Sequence, residues 1–176
     1  IDSVRHQIYQ NWELCIADDA STEESVRSLL ERYAGQDSRI KLVFRGKNGR
    51  VSATSNSALE IAKGEWIALL DHDDLLSEHA LFWVVDCINK NKHVQMIYSD
   101  EDKVDGASNR SSPYFKCDWN IDLFYSQNMF SHLGAYRTSL VNSVGGFLVG
   151  IEGAQDYDLA LRCIEKVSQT DIKHIP

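Results

Sequence analysis

The chain has 176 residues, 43% of them hydrophobic, which is enough to form the core of one domain. Its net charge of -8 argues against a nucleic-acid backbone or an anionic membrane surface as the main partner. The sequence shows no signal-peptide pattern and no long apolar run, so it predicts no membrane span in this chain. The four cysteines form no C-x-x-C pair, and we expect reduced, buried thiols and a cytosolic compartment.

Strands and helices are predicted to alternate along the first hundred residues. After a short helix end within residues 2–10, apolar runs predict four strands, and stripes with helical spacing predict three helices. We predict N-caps at Ser21, within a capping box with Glu24, and at Ser77. The predicted strands cover residues 12–17, 40–44, 65–70 and 94–98, and the helices between them include 26–33, 52–63 and 81–88. This order predicts an α/β fold with a parallel sheet and right-handed crossovers.

The alternation ends after the fourth predicted strand. Residues 99–131 are polar and irregular with interspersed aromatic residues, and a stretch of this length is more often a functional excursion than filler. The rest of the chain predicts a strand at 133–137, a turn at 145–147, a helix through 157–164 and a strand at 172–175.

An acidic cluster follows the third predicted strand. Asp71, Asp73 and Asp74 lie within four positions directly after an apolar run. Because like charges repel, folding gains nothing from gathering them there unless a cation is bound. A hard cation such as Mg²⁺ or Mn²⁺ takes one or two carboxylates and fills its other positions with water and phosphate oxygens. The pattern therefore predicts a metal-diphosphate site, and the alternative is an acidic loop before a helix.

Two further acidic clusters follow predicted strands. Asp18 and Asp19 come after the first strand, and residues 100–102 come after the fourth. In open α/β sheets, ligands bind beyond the carboxyl ends of the strands. Three acidic clusters at one edge of a sheet would be unfavourable without a cation or a donor-rich ligand. Their coincidence therefore supports a binding site at this edge.

The ordered motifs of the chain resemble glycosyltransferase family 2, a group of inverting, nucleotide-sugar-dependent enzymes with the GT-A fold. The resemblance rests on the segments 7–14, 18–22, 48–49, 62–66, 70–74, 145–147 and 155–159, together with Asn56 and Arg162. Residues 98–103, with Phe115, Lys116 and Trp119, are similar to the bacterial branch that builds surface polysaccharides, which includes rhamnosyltransferase-like enzymes.

The resemblance implies one catalytic domain over residues 1–176, with a GT-A (Rossmann-like), mixed, mainly parallel sheet flanked by helices. Members of this family begin with an additional apolar strand and continue beyond the last strand found here. We therefore expect this chain to be a fragment that lacks the first strand and the C-terminal end.

The resemblance also implies roles for individual residues. Asp73 would bind the metal, either Mn²⁺ or Mg²⁺, and Asp71 would contact the ion or the ribose. Asp19 would accept a hydrogen bond from the nucleotide base, since a carboxylate is an acceptor only; a solvated loop charge is the alternative. Asp156 would be the general base that deprotonates the acceptor hydroxyl; a helix-dipole partner is the alternative. Further contacts to the nucleotide sugar are expected from Asp18, Asn56 and Asp102.

The expected function is metal-dependent transfer of a sugar from a nucleotide-diphosphate donor to a saccharide or lipid-linked acceptor in cell-surface polysaccharide synthesis. Nucleic acid is not an expected partner, and the expected location is cytoplasmic, with any membrane association through a parent protein. One alternative is a non-catalytic nucleotide-sugar or carbohydrate-binding fragment, although the expected site carboxylates are all present. A nucleotidyltransferase would require a Gly-rich, basic phosphate loop, which the sequence lacks.

Overall fold

The computed structural model describes residues 1–176 and contains seven α-helices and eight strands. In chain order they are α1 (Asp2–Arg5), β1 (Leu14–Asp18), α2 (Glu24–Gln36), β2 (Ile40–Phe44), α3 (Arg50–Ile61), β3 (Trp66–Ala68), α4 (Ala80–Lys90), β4 (Met96–Ser99), β5 (Glu101–Val104), β6 (Arg110–Tyr114), α5 (Ile121–Phe124), β7 (Gly134–Arg137), α6 (Thr138–Ser143), α7 (Gln155–Ile164) and β8 (Ile172–Ile175). A 3₁₀ turn, Gln169–Asp171, leads into β8.

The strands form one four-stranded sheet and two strand pairs. The large sheet has the order β3-β7-β4-β8, in which β7 is antiparallel to β3 and β4, and β8 is parallel to β4. Three of its four strands therefore run in one direction. The pair β1-β2 is parallel, and the pair β5-β6 is an antiparallel hairpin. The predicted α/β class, a mixed sheet flanked by helices in a single domain, is confirmed.

The core lies on both faces of the large sheet. Strand β4 is paired on both sides, and its residues Met96, Ile97 and Tyr98 are almost wholly buried. This burial explains why β4 reads as a continuous apolar run rather than an alternating pattern. The Tyr98 hydroxyl donates to the carbonyl of Cys117 at 2.6 Å, so its polar atom does not remain unpaired in the core. Phe124 and Leu159 pack in the same cluster and bring α5 and α7 onto the sheet.

The excursion at 99–131 contains more regular structure than the sequence predicted. It begins with the β5-β6 hairpin and ends with α5, a single turn whose N-cap Asn120 accepts from the Leu123 N–H at 3.0 Å. Strand β6 is polar, contains a proline and is largely exposed, so no alternation of apolar residues marks it. Main-chain hydrogen bonds between β5 and β6 hold the hairpin, and the pattern of apolar residues in the sequence does not reveal such bonds.

Both predicted N-caps were wrong. Helix α2 begins at Glu24, so its N-cap position is Glu23, which makes no side-chain cap, and Ser21 lies two residues before it. The Ser21 N–H donates to the carboxylate of Asp18 at 3.1 Å. Helix α4 begins at Ala80, and the Leu81 N–H is satisfied by the side chain of Gln7 at 3.0 Å. Gln7 lies 74 positions earlier in the chain, so a local capping rule could not identify it.

The four cysteines are all free thiols, but only Cys163 is buried. Cys15 and Cys87 are half-buried and Cys117 is exposed, so the expectation of buried thiols holds for one residue. Burial raises the pKa of the Cys163 thiol to about 12, which keeps it protonated. None of the helices combines the length and the apolar character needed to cross a membrane.

The buried contact of α7 with the sheet gives a stability prediction. Leu159 is 0% exposed in the main core, whereas Leu75 is 65% exposed. Leu159→Ala should therefore lower the free energy of unfolding by about 2–5 kcal/mol through lost burial and a residual cavity. The matched change Leu75→Ala should cost less than about 0.5 kcal/mol. Urea unfolding of both variants measures the difference, and equal losses would contradict the packing of α7.

Candidate active site

A cleft of about 450 Å³ separates β1 from β3. Strand β1 pairs only with β2, and β3 pairs only with β7, so each has an unpaired edge. Residues of both strands and of α3 form the mostly apolar wall of the cleft. Its polar lining includes Asp71, His132 and Asp156, which come from three distant parts of the chain. The apolar part of this space, between the two unpaired strand edges, is where a further strand could pair, so it is not itself evidence of a substrate pocket. We use the name catalytic cleft only for the part that Asp71, His132 and Asp156 line.

The sheet topology brings His132 to the end of β3. Because β7 is antiparallel to β3, the segment that enters β7 lies where β3 ends. The pairing of Ala68 with Ala135, continued by the Leu69 N–H to Gly134 carbonyl bond at 3.0 Å, sets this register. His132 precedes β7 by two residues and therefore lies beside the acidic segment that follows β3. The sequence did not predict His132, since no ligand spacing in the chain marks it.

Asp71, Asp74 and His132 form a cluster that could hold a metal ion. One possible ligand atom from each residue lies within 4.8 Å of the others. His132 Nδ1 is 3.2 Å from Asp74 Oδ2. Asp74 Oδ2 is also the one carboxylate oxygen among the buried side-chain atoms without a hydrogen-bond partner. A buried carboxylate oxygen without a hydrogen bond is costly, and a cation would satisfy it.

The pKa of Asp74 is raised above its usual value. Burial is the main cause, and the neighbouring carboxylates of Asp71, Asp73 and Glu101 add to it. His132 acts in the opposite direction. The negative charge of Asp74 is therefore poorly compensated by the protein itself.

Asp73 lies outside this cluster. Its side chain is 77% exposed, and its nearest charged neighbour is His72, whose Nδ1 is 3.8 Å away. His72 is 98% exposed and points into solvent, as expected for the middle residue of an Asp-x-Asp motif. The structure brings together Asp71 and Asp74, whereas the motif predicted Asp71 and Asp73. The metal role of Asp73 stays a prediction.

Asp156 lies in the first turn of α7 and reaches the same cleft. Asn128 donates through Nδ2 to Asp156 Oδ2 at 2.8 Å. The Oδ1 atom of Asn128 in turn accepts from the Phe130 N–H at 2.9 Å, which fixes the orientation of the amide. One carboxylate oxygen of Asp156 is thereby anchored, and the other makes no hydrogen bond within the protein. This arrangement suits a carboxylate that must accept a proton from a bound molecule.

Asp19 is tied to the loop before α3. Gly49 N–H donates to both carboxylate oxygens at 2.9 and 3.0 Å, and Arg45 Nε donates to Oδ1 at 2.8 Å. Burial alone would raise the pKa of Asp19, but these donors outweigh it and lower the pKa. Arg45 is 19% exposed and also donates to the carbonyl of Ala53, so it is held within the protein rather than solvated.

Asn56 holds the loop that precedes α7. Its amide donates to the carbonyl of Phe147 at 2.8 Å and accepts from the Phe147 N–H at 2.9 Å. Gly146 adopts a φ of +70°, and a Cβ at this position would lie 2.7 Å from Asn56 Oδ1. The glycine is therefore required both by its backbone conformation and by the close approach of Asn56. A contact between Asn56 and the nucleotide sugar stays a prediction.

The remaining predicted residues lie away from the cleft lining. Asp18 accepts from the Ser21 N–H, and Asp102 forms an ion pair with Arg110 at 2.5 Å on the β5-β6 hairpin. Of the predicted site residues, only Asp71 and Asp156 line the catalytic cleft itself. The substrate contacts of Asp18 and Asp102 stay predictions.

Comparison with known proteins identifies the family of this chain. The family model described as Glycosyl transferase family 2 matches residues 1–145. The chain belongs to glycosyltransferase family 2. It is 54% identical over 175 residues to the protein y4gI of Sinorhizobium fredii, described as uncharacterized, and 35% identical over 173 residues to the O-antigen biosynthesis protein RfbC of Myxococcus xanthus. The two matches include 99% and 98% of this chain but only 19% and 13% of the length of the two relatives.

Solved structures show the same fold. The S. aureus TarS fragment 1–349 in complex with UDP superposes with a TM-score of 0.77 at 22% identity, covering 99% of this chain and 52% of that one. The mannosyltransferase PcManGT from Pyrobaculum calidifontis, in complex with GDP-Man and Mn²⁺, superposes with a TM-score of 0.68 at 19% identity, covering 99% and 51%. At these identities the likeness establishes the GT-A fold of the glycosyltransferase family 2 domain.

The hydrogen bonds of Asp19 give a second stability prediction. Asp19→Asn should lower the free energy of unfolding at pH 7 by about 1–3 kcal/mol, because the carboxylate accepts from both Gly49 and Arg45. Asp18→Asn should cost less than about 0.5 kcal/mol, since Asn can still accept from the exposed Ser21 N–H. Chemical unfolding of the two variants makes the comparison.

The pH dependence provides the control for this prediction. Because folding lowers the pKa of Asp19, its contribution is complete above the unfolded-state pKa of about 3.9. It is lost as the pH falls through the lower folded-state pKa. The difference between wild type and Asp19→Asn should therefore shrink below about pH 4. A difference that stayed constant into this range would show that the carboxylate charge is not involved.

Proposed function

We propose that residues 1–176 form the catalytic domain of a metal-dependent, inverting glycosyltransferase. The reaction moves a sugar from a nucleoside-diphosphate donor to a hydroxyl of a saccharide or lipid-linked acceptor in surface polysaccharide synthesis. The observation that carries the proposal is that Asp71, His132 and Asp156 line one cleft. This arrangement supports the proposal, because a sugar transfer of this kind needs a cation for the diphosphate and a carboxylate base for the acceptor close to the same donor.

The side chains fit a divalent cation. Asp71, Asp74 and His132 would hold it, and the Oδ2 atom of Asp74, which makes no hydrogen bond and has only the His132 ring beside it, supplies one acceptor. Carboxylates suit Mg²⁺ and Mn²⁺, and imidazole is a ligand for several transition metals, so the mixed set favours Mn²⁺. When bound, the cation would neutralise the charge on the departing diphosphate. The protein itself would supply these three side chains as ligands, from two segments that are far apart in the sequence.

Asp156 is proposed as the general base. Asn128 holds its Oδ2, and its Oδ1 is available to take the proton of the acceptor hydroxyl. The deprotonated oxygen attacks the anomeric carbon from the face opposite the diphosphate. One such displacement with one base inverts the configuration at that carbon. The bond between the anomeric carbon and the diphosphate oxygen breaks as the new glycosidic bond forms, its electron pair leaves with the nucleoside diphosphate, and the acceptor proton stays on Asp156.

Nucleotide sugars are the proposed donors. TarS is described in complex with UDP and UDP-GlcNAc, and PcManGT in complex with GDP-Man. In this chain, Asp19 can accept from the base N–H, because a carboxylate offers about four lone-pair positions and its bonds to Gly49 and Arg45 leave room for another donor. We place the reaction in the cytoplasm, which the unpaired thiols support.

Nucleotide binding should depend on a divalent cation. We expect one of a panel of nucleoside diphosphates to raise the melting temperature of the full-length protein in Mn²⁺ but not in excess chelator, because a ligand of the folded state stabilises it. Isothermal titration calorimetry would then give the affinity in each condition. Equal affinity with chelator would contradict a metal-bridged diphosphate.

Matched variants separate the two possible ligand sets. Asp74→Asn should weaken Mn²⁺ binding more than Asp73→Asn, because only Asp74 approaches Asp71 and His132. Each change removes one charge from the same acidic segment, so their electrostatic effects are similar. The reverse order would favour the ligand set predicted from the motif, with Asp73 as the metal ligand.

Loss of the base should slow turnover without weakening donor binding. Asp156→Asn in the full-length protein should lower turnover by about a hundredfold to ten-thousandfold. The donor affinity should change little, since Asp156 acts on the acceptor. The exposed Asp122, in the first turn of α5, provides the control Asp122→Asn. Near-normal turnover of Asp156→Asn would exclude this residue as the base, and a protein without transferase activity of any kind would favour a binding domain.

A further inference from the structure

Lys116 is a buried lysine behind the candidate metal cluster. Its side chain is 0% exposed, although it lies just after the exposed hairpin strand β6. Its ammonium group Nζ donates to the main-chain carbonyl of His132 at 2.9 Å and lies 3.4 Å from Glu101 Oε2. Lys116 does not line the catalytic cleft. It therefore reaches the site only through the residues that it holds.

Glu101, the partner of Lys116, also holds the segment before β7 through a second residue, Ser131. Ser131 Oγ donates to the Glu101 carboxylate, at 3.3 Å from each oxygen. The main-chain N–H of Lys116 donates to Asp100 Oδ1 at 2.8 Å. Lys116 and Glu101 thus fix two consecutive residues, Ser131 and His132, against the start of the hairpin. The imidazole of His132 projects from this fixed main chain toward Asp74.

A buried ammonium is unfavourable unless it is paired and hydrogen-bonded. Hydrophobic residues of similar volume often replace a buried ion pair with little loss of stability. Stability alone therefore gives no strong reason for a lysine at this position. One N–H of the Lys116 ammonium group is bonded to the main-chain carbonyl of His132, a candidate metal ligand. This bond has a more specific consequence, because it restricts the direction in which the His132 side chain points.

We propose that Lys116 is a positioning residue that fixes the main chain at His132, so that the imidazole faces Asp71 and Asp74 and the three together bind a divalent cation. This inference rests on the proposed metal site. Residues behind a metal ligand fix its orientation, and their loss typically lowers metal affinity by about tenfold to a hundredfold.

The sign of the effect separates this role from simple electrostatics. Lys116 is a positive charge close to an acidic cluster, so its removal should strengthen cation binding if it acts only through space. If it positions His132, its removal should weaken cation binding instead. A purely structural role would lower the melting temperature and leave the Mn²⁺ affinity of the folded protein unchanged.

The experiment measures Mn²⁺ binding to the full-length protein without any turnover. Free Mn²⁺ is quantified by electron paramagnetic resonance for wild type, Lys116→Met and the control Lys103→Met, an exposed lysine on β5. We expect Lys116→Met to lower the affinity by about tenfold to a hundredfold. Lys103→Met should leave the affinity unchanged or slightly higher. In a His132→Ala background, Lys116→Met should cause no further loss, because its effect passes through His132.

The outcomes distinguish this inference from the proposal on which it rests. If His132→Ala leaves Mn²⁺ affinity unchanged, the metal site itself is wrong. If His132→Ala weakens binding but Lys116→Met does not, only the positioning role is wrong. An equal loss in both backgrounds would also overturn it, since Lys116 would then act independently of His132.

A second variant keeps the test valid if Lys116→Met does not fold. Glu101→Gln retains the shape of the side chain but weakens its hold on Lys116 and Ser131. Its Mn²⁺ affinity should fall further in the wild-type background than in the His132→Ala background, where only the lost charge of Glu101 acts. A loss of the same size in both backgrounds would indicate charge alone and would overturn the positioning role.

Discussion

The burial of one carboxylate, Asp74, among other carboxylates at the end of β3 is the constraint around which the site is arranged. Burial and the charges of Asp71, Asp73 and Glu101 raise the pKa of Asp74, and one oxygen of Asp74 has no hydrogen bond. Such an arrangement costs folding free energy unless a positive group is added. The protein contributes one neighbour, His132, and the proposed cation would balance the rest of the charge. We interpret this incomplete compensation as the physical basis of the proposed cation binding.

The antiparallel strand β7 makes the arrangement possible. In a wholly parallel sheet, every strand would begin at the edge opposite the carboxyl end of β3. Because β7 runs in the other direction between β3 and β4, the residues that enter it come to that edge. The chain then turns through α6 and returns in α7, whose first turn places Asp156 on the same cleft. One reversed strand thus connects the candidate metal site to the candidate base.

The sequence predicted the parts of the site that depend on local pattern. Asp71 follows an apolar run, so strand rules placed it near a sheet edge, whereas the site role of Asp156 was predicted from the family resemblance. His132 could not be found in this way, because its meeting with Asp74 depends on the pairing of two strands far apart in sequence. The bonds of Gln7 to α4 and of Asn56 to Phe147 are likewise long-range. The fold class depends on average periodicity and was therefore predictable, whereas these single contacts depend on tertiary register.

The central claim is that the cation site and the base share one cavity, with Asp71, Asp74 and His132 as the ligands. Diffraction from crystals of the full-length protein grown with MnCl₂ and a nucleoside diphosphate, recorded where manganese scatters anomalously, tests it directly. Our account predicts an anomalous peak bonded to Asp71 and Asp74, beside the His132 ring and within the cleft that Asp156 lines. A peak outside that cleft, or one bonded to Asp73 with Asp74 unengaged, would contradict it.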